Sequence, residues 1–275
     1  MYQLLYYWLN IEGDDLKSKK NILGNKEGWD LMSEEYQDSS DISVEDVHYS
    51  PLSFGEKSAN LIGNVVGKKY VELGCGGGQN SIALAKLGAD VTAVDLSSNQ
   101  LTHAVSTCRN LGISINLLQA NIQNLNYFPN NHFDGIISAF SLEFIEDIGT
   151  FFSESNRILK NRGQLILSTT HPLGAFEWDT ESKNLLVTNY FNPPVEIWKE
   201  QGQISPGFTY FRTMEEIFSN VTENGFTIKK LLEPKPLDLD KELLSPYKGD
   251  YWTEFRDRLN AIPFAVVIQA VKDSF

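Results

Sequence analysis

The stretch Val71-Glu72-Leu73-Gly74-Cys75-Gly76-Gly77-Gly78 constrains this chain most. It reads as an apolar strand that carries a carboxylate near its end and runs straight into a glycine-rich turn. Beyond the turn, Asn80 to Leu87 has helical apolar spacing in Ile82, Ala83, Leu84, Ala85 and Leu87. A strand, a glycine turn and a helix start offer free backbone N–H groups and room for close approach, which suits a nucleotide-like ligand. Glycine spacing then selects among ligands. A dinucleotide fold uses G-x-G-x-x-G, but position 79 is Gln79, so the run is Glu-x-Gly-x-Gly-x-Gly.

A second acid follows in register. Ala89 to Asp95 is another short apolar run ending in a carboxylate, 23 positions after Glu72. Rossmann-like folds hold an acid at that place, at the end of strand two, to accept hydrogen bonds from ribose hydroxyls. Strands and helices alternate from there, as a doubly wound sheet requires. Strand one is Lys69–Leu73, strand two Asp90–Asp95, strand three Ile115–Gln119, strand four Phe133–Ser138 and strand five Gln164–Thr170. Helices are expected over Glu56–Val66 (closed by Gly67), Ser98 to about Asn110 and Asp147 to Leu159, with Asn161-Arg162-Gly163 as a turn. Thr213 and Glu216 have capping-box spacing for one more helix. Strand six then covers Phe226–Leu232 and strand seven Phe264–Val271, with a helix at Tyr251–Asn260 between them.

With its acidic residue two places before the first glycine, the turn resembles motif I of the class I S-adenosylmethionine-dependent methyltransferases. Phe133-Asp134-Gly135-Ile136 resembles the family's strand four, and Arg157-Ile158-Leu159-Lys160 with Gly163-Gln164-Leu165 resembles the segment entering strand five. Within the family the chain is most similar to the small-molecule, type 11 or ubiquinone/menaquinone-like enzymes. The resemblance covers residues from about 56 to the C-terminus. It implies a Rossmann-like α/β fold, a doubly wound seven-stranded sheet whose last strand is antiparallel. It also implies S-adenosyl-L-methionine as cofactor, held by Glu72, Gly74, Cys75, Gly76, Gly78 and Asn80 around the turn. Asp95 and Leu96 would follow at strand two, Asn121 and Ile122 after strand three, and Ala139 after strand four. Where the family usually has Asp after strand three, this chain has Asn121, whose carbonyl oxygen still accepts a hydrogen bond but lacks the charge.

The whole chain reads as one methyltransferase domain: a helical lid over residues 1–55, a cofactor-binding core over 56–171, a substrate-side insertion over 172–212 and the rest of the sheet over 213–275. The lid contains a short helix at Gly28–Tyr36. The insertion is rich in proline and in aromatic residues such as Phe176, Trp178, Tyr190, Phe191, Trp198 and Tyr210, and loops of that length are commonly functional. It reads first as an aromatic substrate lid, with a homodimer contact or simple packing over the sheet edge as the alternatives.

Charge and cysteine content narrow the partners. The 23 basic residues against 36 acidic ones give a net charge of −13. A protein that grips nucleic acid normally carries a basic face, so no nucleic-acid substrate is expected, and an RNA or protein methyltransferase is the lesser reading. No stretch reaches the roughly 18 apolar residues that span a bilayer. Cys75 and Cys108 suit free thiols in a reducing compartment, so a cytoplasmic protein is expected. No metal-ligand spacing occurs.

The leading expectation is methyl transfer by in-line displacement to a small-molecule acceptor, such as a secondary metabolite. An NAD-dependent oxidoreductase is the other alternative, disfavoured by the glycine spacing. The donor methyl is already activated, so the protein mainly orients and desolvates, adding a base only if the nucleophile must lose a proton. His171, directly after strand five, is the first candidate base. His48 and Tyr49 of the lid are the others. Glu143, after strand four, has two readings, a residue near the cofactor or, the favoured one, the start of the connecting helix.

Overall fold

The computed structural model describes residues 5–6 and 16–274. In chain order its elements are β1 (Leu5–Tyr6), α1 (Leu16–Ser40), α2 (Glu56–Ala59), β2 (Lys69–Leu73), α3 (Gln79–Lys86), β3 (Asp90–Asp95), α4 (Ser98–Leu111) and β4 (Asn116–Gln119). There follow β5 (Phe133–Ala139), α5 (Ile148–Ile158), β6 (Leu159–Thr170), β7 (Glu177–Asp179), β8 (Asn184–Leu186), β9 (Val195–Trp198) and β10 (Gly207–Tyr210). The chain closes with α6 (Met214–Glu223), β11 (Phe226–Leu232), α7 (Arg256–Ala261) and β12 (Ala265–Lys272).

The main sheet has the order β1-β4-β3-β2-β5-β6-β12-β11, and β12 alone runs against its neighbours. Without the short edge strand β1, this is the expected seven-stranded Rossmann-like sheet with its last strand antiparallel. The order reverses between β2 and β5, and ligands of open α/β sheets bind at the carboxyl ends of strands beside such a reversal.

Alternation along β2 feeds the two faces. Val71 and Leu73 join one apolar cluster with Phe151, Phe152, Ile217 and Val221 of α5 and α6. Tyr70 faces the other, with Ile82 and Leu84 of α3 and Leu101 and Ala104 of α4. Each such side chain buried contributes about 1.5–3 kcal/mol, so both faces are firmly covered. The helix ends are capped as their sequences direct: Ser97 accepts from Gln100 N, Asp147 from Thr150 N and Thr213 from Glu216 N.

Four local expectations are corrected. The N-terminal helix is not the short Gly28–Tyr36 piece but 25 residues long. Conversely, the helix expected over Glu56–Val66 stops after one turn at Asn60, which is left-handed at φ +47°. Its own first residue stops it. Glu56 accepts from Leu61 N (2.9 Å) and Ile62 N (2.8 Å), amides that a continuing helix would need. The Asn161–Gly163 turn lies within β6 as an irregularity, with Arg162 at φ +61°. The helix expected at Tyr251–Asn260 divides into a 3₁₀ turn, Asp250–Phe255, and α7.

The insertion after β6 forms two antiparallel hairpins, β7–β8 and β9–β10. The second lies on α1, and the contact explains two glycines in mid-helix. Glu27 accepts from Ile204 N (2.8 Å) and Ser205 N (3.1 Å), and Gln203 donates to Gly24 O at 2.8 Å. A Cβ at Gly24 would collide with the Pro206 carbonyl. Among the described residues no helix is long and apolar enough to cross a membrane.

Candidate active site

The glycine turn is built from left-handed backbone, with Gly74 at φ +77°, Gly76 at +51° and Gly78 at +78°. Only glycine adopts these without strain. Space matters too, since a Cβ at Gly74 would stand 2.8 Å from Ser141 Oγ. At Gly76 the nearest neighbour would be Gln100 Oε1 at 3.7 Å, so the backbone there faces open volume. Asp95 ties this turn to the end of β3. Its carboxylate accepts from Gly76 N at 2.7 Å and Ser97 N at 2.8 Å, and burial raises its pKa to about 6. Each oxygen keeps capacity for a further donor.

Glu72 lies beneath the turn rather than in it. It accepts from Ser81 N (2.9 Å) and Ser81 Oγ (2.5 Å), pinning the first turn of α3 to β2. Burial pushes its carboxyl up to about 8.

Helix α1 covers the strand ends from above. Asp30 accepts from Ser97 Oγ at 2.6 Å and from Asn99 N at 3.1 Å, a charged cap on α4 from another element. Gln37 donates to Gln100 Oε1 at 2.7 Å and sits against the turn, where a Cβ at Gly77 would lie 2.6 Å from its Oε1. The far wall comes from the segment before β12, through Tyr247, Tyr251, Trp252 and Phe264.

Together these enclose a cavity of about 360 Å³, within the range of small-molecule sites. Of the residues expected from sequence, Gly74, Gly76, Asp95, Leu96, Asn121, Ile122, Ala139 and His48 line it. Asn121 Oδ1 also accepts from Gln123 N at 3.0 Å, closing its own turn. Glu72, Cys75, Gly78 and Asn80 support from behind. Cys75 belongs to the core, Gly78 precedes α3, and Asn80 accepts from His48 N at 2.8 Å.

Tyr49 and His171 lie off the cavity. Tyr49 is buried and donates to Glu56 Oε2 at 2.6 Å. His171 Nδ1 accepts from Leu173 N at 3.1 Å, and its Nε2 faces Glu233 Oε1 at 3.0 Å. His48 does line the cavity, with Nδ1 3.1 Å from the Tyr247 hydroxyl, but burial pulls its pKa to about 3.

Several lining residues were not singled out from the sequence. Asn25, Trp29, Met32 and Tyr36 of α1 follow i, i+4, i+7, i+11 spacing, a single helix face that the short helix obscured. Ser141 and Thr170 stand at or just past the carboxyl ends of β5 and β6, where such a fold places its site, and beside them is Glu143, which the sequence favoured as the start of a helix. Trp252 also lines the cavity, and its buried Nε1 has no hydrogen-bond partner among the described residues. A buried donor of that kind calls for a bound molecule or water.

Comparison with known proteins agrees with this geometry. A family model described as a methyltransferase domain, Methyltransf_11, matches residues 71–167. An uncharacterised protein of Haemophilus influenzae is 30% identical over 209 residues, covering 69% of this chain and 81% of its own. A ubiquinone biosynthesis O-methyltransferase of Methylococcus capsulatus is 33% identical over 106 residues, but the match spans only 38% of this chain and 45% of that enzyme. The crystal structure of an S-adenosylmethionine-dependent methyltransferase from Mesorhizobium loti shares the fold at a TM-score of 0.64 and 22% identity, over 78% of this chain and 95% of that one. The chain belongs to the class I S-adenosylmethionine-dependent methyltransferases, and it is an enzyme whose cofactor is S-adenosylmethionine. The site fits that cofactor. It offers open volume over Gly76, an acid with spare acceptor capacity in Asp95, and a partly open cavity of small-molecule size.

Proposed function

We propose that this enzyme methylates a small organic molecule held against the aromatic end of the cavity. When bound, S-adenosylmethionine supplies an electrophilic methyl group on a sulfonium. The backbone of Gly74–Gly78 would hold its amino-acid part, Asp95 its ribose, and Leu96, Asn121 and Ile122 its base. The observation that carries the small-molecule reading is the far wall. Trp29, Tyr36, Tyr247 and Trp252 line the same cavity as Asp95, and aromatic walls accept planar or lipophilic molecules. The net charge of −13 speaks against a nucleic-acid substrate.

The chain's own contribution is orientation and exclusion of water. Helix α1 lines the cavity and is backed by the β9–β10 hairpin, and reacting groups held in register react far faster than free ones. A histidine base is not required by this reading. His171 lies off the cavity, and His48 stays neutral at physiological pH and binds protons too weakly to act efficiently as a base there.

The experiment is methylation with S-adenosylmethionine carrying a deuterated methyl group, offered to separated small-molecule, RNA and protein fractions. A mass shift in the small-molecule fraction is expected. Label confined to RNA or protein overturns the reading.

A further inference from the structure

Besides the glycine turn and Asp95, the cavity is lined by a buried carboxylate that forms no ion pair among the described residues. Glu143 opens the 3₁₀ turn Leu142–Phe144 directly after β5 and lines the cavity at only 6% exposure. Its oxygens accept from Thr169 Oγ1 at 3.1 Å and Thr170 Oγ1 at 2.9 Å. Its own backbone amide donates to it as well, and since a carboxylate has about four acceptor positions, capacity for a further donor remains.

No ion pair with Glu143 occurs among the described residues. Arg212, the cation whose charge reaches it, is committed elsewhere. Its guanidinium donates to the carbonyls of Leu142 (3.2 Å), Tyr210 (3.1 Å), Glu146 (3.2 Å) and Ile145, and lies 3.4 Å from Glu216. Burial therefore raises the Glu143 pKa above the ordinary carboxylate range.

Aromatic rings line the same cavity. Burial raises Tyr36 to about 12, with the charges of Tyr251 and Glu143 adding to the rise. Tyr247 is raised by burial and then by Tyr36 and Glu143, so the two phenols and the carboxylate share one neighbourhood. Trp29 stands edge-on to Tyr36 at 5.4 Å, and Trp252 edge-on to Tyr247 at 6.3 Å. An unpaired buried carboxylate among aromatic faces is complementary to an organic cation.

We propose that the acceptor is an organic amine whose ammonium group pairs with Glu143 within this aromatic wall, making the enzyme an N-methyltransferase. This rests on the small-molecule reading above. The step balances without a histidine. The ammonium passes one proton to Glu143, which frees the nitrogen lone pair. That pair forms the N–C bond as the donor's S–C bond breaks, and the S–C electron pair stays on sulfur. Positive charge thus moves from sulfonium to the new ammonium, and Glu143 returns its proton to water as product leaves.

The test is calorimetry on protein saturated with S-adenosylhomocysteine. The probes are tryptamine, tryptophol and indole-3-propionate, one indole bearing an ammonium, a hydroxyl or a carboxylate. Tryptamine is expected to bind about tenfold or more tighter than tryptophol, and indole-3-propionate not to bind. Glu143→Gln is expected to bring tryptamine to the tryptophol level with S-adenosylhomocysteine affinity unchanged, which also shows that the variant is folded. Equal binding of tryptamine and tryptophol, or binding of none of the three, overturns the proposal. So does a Glu143→Gln variant that loses S-adenosylmethionine but keeps both S-adenosylhomocysteine and tryptamine, since Glu143 would then serve the donor sulfonium. Failure of the wild type to bind S-adenosylhomocysteine overturns the methyl-transfer reading itself, along with this one.

Discussion

The indole of Trp198 rests directly on the backbone of Gly28: a Cβ built on that glycine would stand 2.6 Å from Trp198 Cη2. Gly207 presses on the same ring from β10, and Trp198 Nε1 donates to Thr209 Oγ1 at 3.1 Å. Helix α1 and the β9–β10 hairpin are therefore packed together through one tryptophan, although Trp198 lies 170 positions after Gly28 in sequence.

A Gly28→Ala substitution sets two effects against each other. Alanine favours the helix by about 1 kcal/mol, while forcing a methyl against a fixed ring costs about 1–3 kcal/mol. The clash should win, and its cost should fall on the lid. Faster hydrogen exchange is expected over 195–210 and around residue 28, with the central strands unchanged. On binding of donor and acceptor, both lid segments should gain protection together in the wild type. Protection that rises in one segment and not in the other would show that they do not move as a unit.

Asp95 provides a test of donor binding. Asp95→Ala should weaken S-adenosylhomocysteine by about 1–3 kcal/mol, the cost of losing charge-assisted hydrogen bonds. Because burial places the Asp95 pKa near 6 in the free enzyme, its carboxylate is charged above that pH and protonated below it. Wild-type affinity should therefore decline as pH falls through about 6, and the Ala variant should lack that decline. Calorimetry across pH 5–8 decides, and parallel profiles would exclude Asp95 as the ribose acceptor.

Glu72 bears on stability rather than on donor affinity. Its pKa rises from the ordinary 4.5 to about 8 on folding, so the folded state binds more protons than the unfolded state between those values. Its contribution is full below about 4.5 and is lost as pH rises through about 8. Glu72→Gln, which still accepts from Ser81, should show a flatter dependence of melting temperature on pH in this window. A variant with the same slope as the wild type would place the charge penalty elsewhere.

These residues show what could be read in advance. Glu72, the glycines and Asp95 sit within one strand-turn-helix-strand unit, so their spacing alone placed them. Strand six was legible to the residue because its apolar run ends in turn formers. The extent of α1 was not, since Gly24 and Gly28 argue against a helix locally and are explained only by the hairpin that lies on them. Nor was the short α2, which depends on one side chain, Glu56, capturing backbone amides several residues ahead. The aromatic end of the cavity was hidden for a further reason: Tyr36, Glu143, Tyr247 and Trp252 meet only once the sheet is assembled. Glu143 was visible at the end of strand four, but nothing local distinguishes a lining carboxylate from a helix-start residue.

Histidine chemistry gives the last test. Because His171 Nδ1 accepts from Leu173 N, its proton sits on Nε2, toward Glu233. Burial lowers its pKa, with Glu233 opposing, so the folded state favours neutral imidazole more than the unfolded state does. Stability from this group is present at neutral pH and falls as the medium is acidified below about 6.5, the ordinary histidine value. His171→Ala should cost about 0.5–2 kcal/mol, the range for a lost cap on the Pro172–Ala175 turn, and should lessen the acid sensitivity of the melting temperature. The pH profile of turnover should stay that of the wild type, because the ring does not reach the cavity. If the variant instead loses about 10²-fold or more in turnover, together with the acid limb of its profile and with donor affinity intact, His171 acts as a base and the loop around Pro172 must rearrange to bring it in. His48→Gln separates the remaining possibility. With its pKa near 3, His48 cannot give an acid limb near neutrality, so such a limb in the wild type that vanishes in this variant would contradict the buried, neutral ring beside Tyr247.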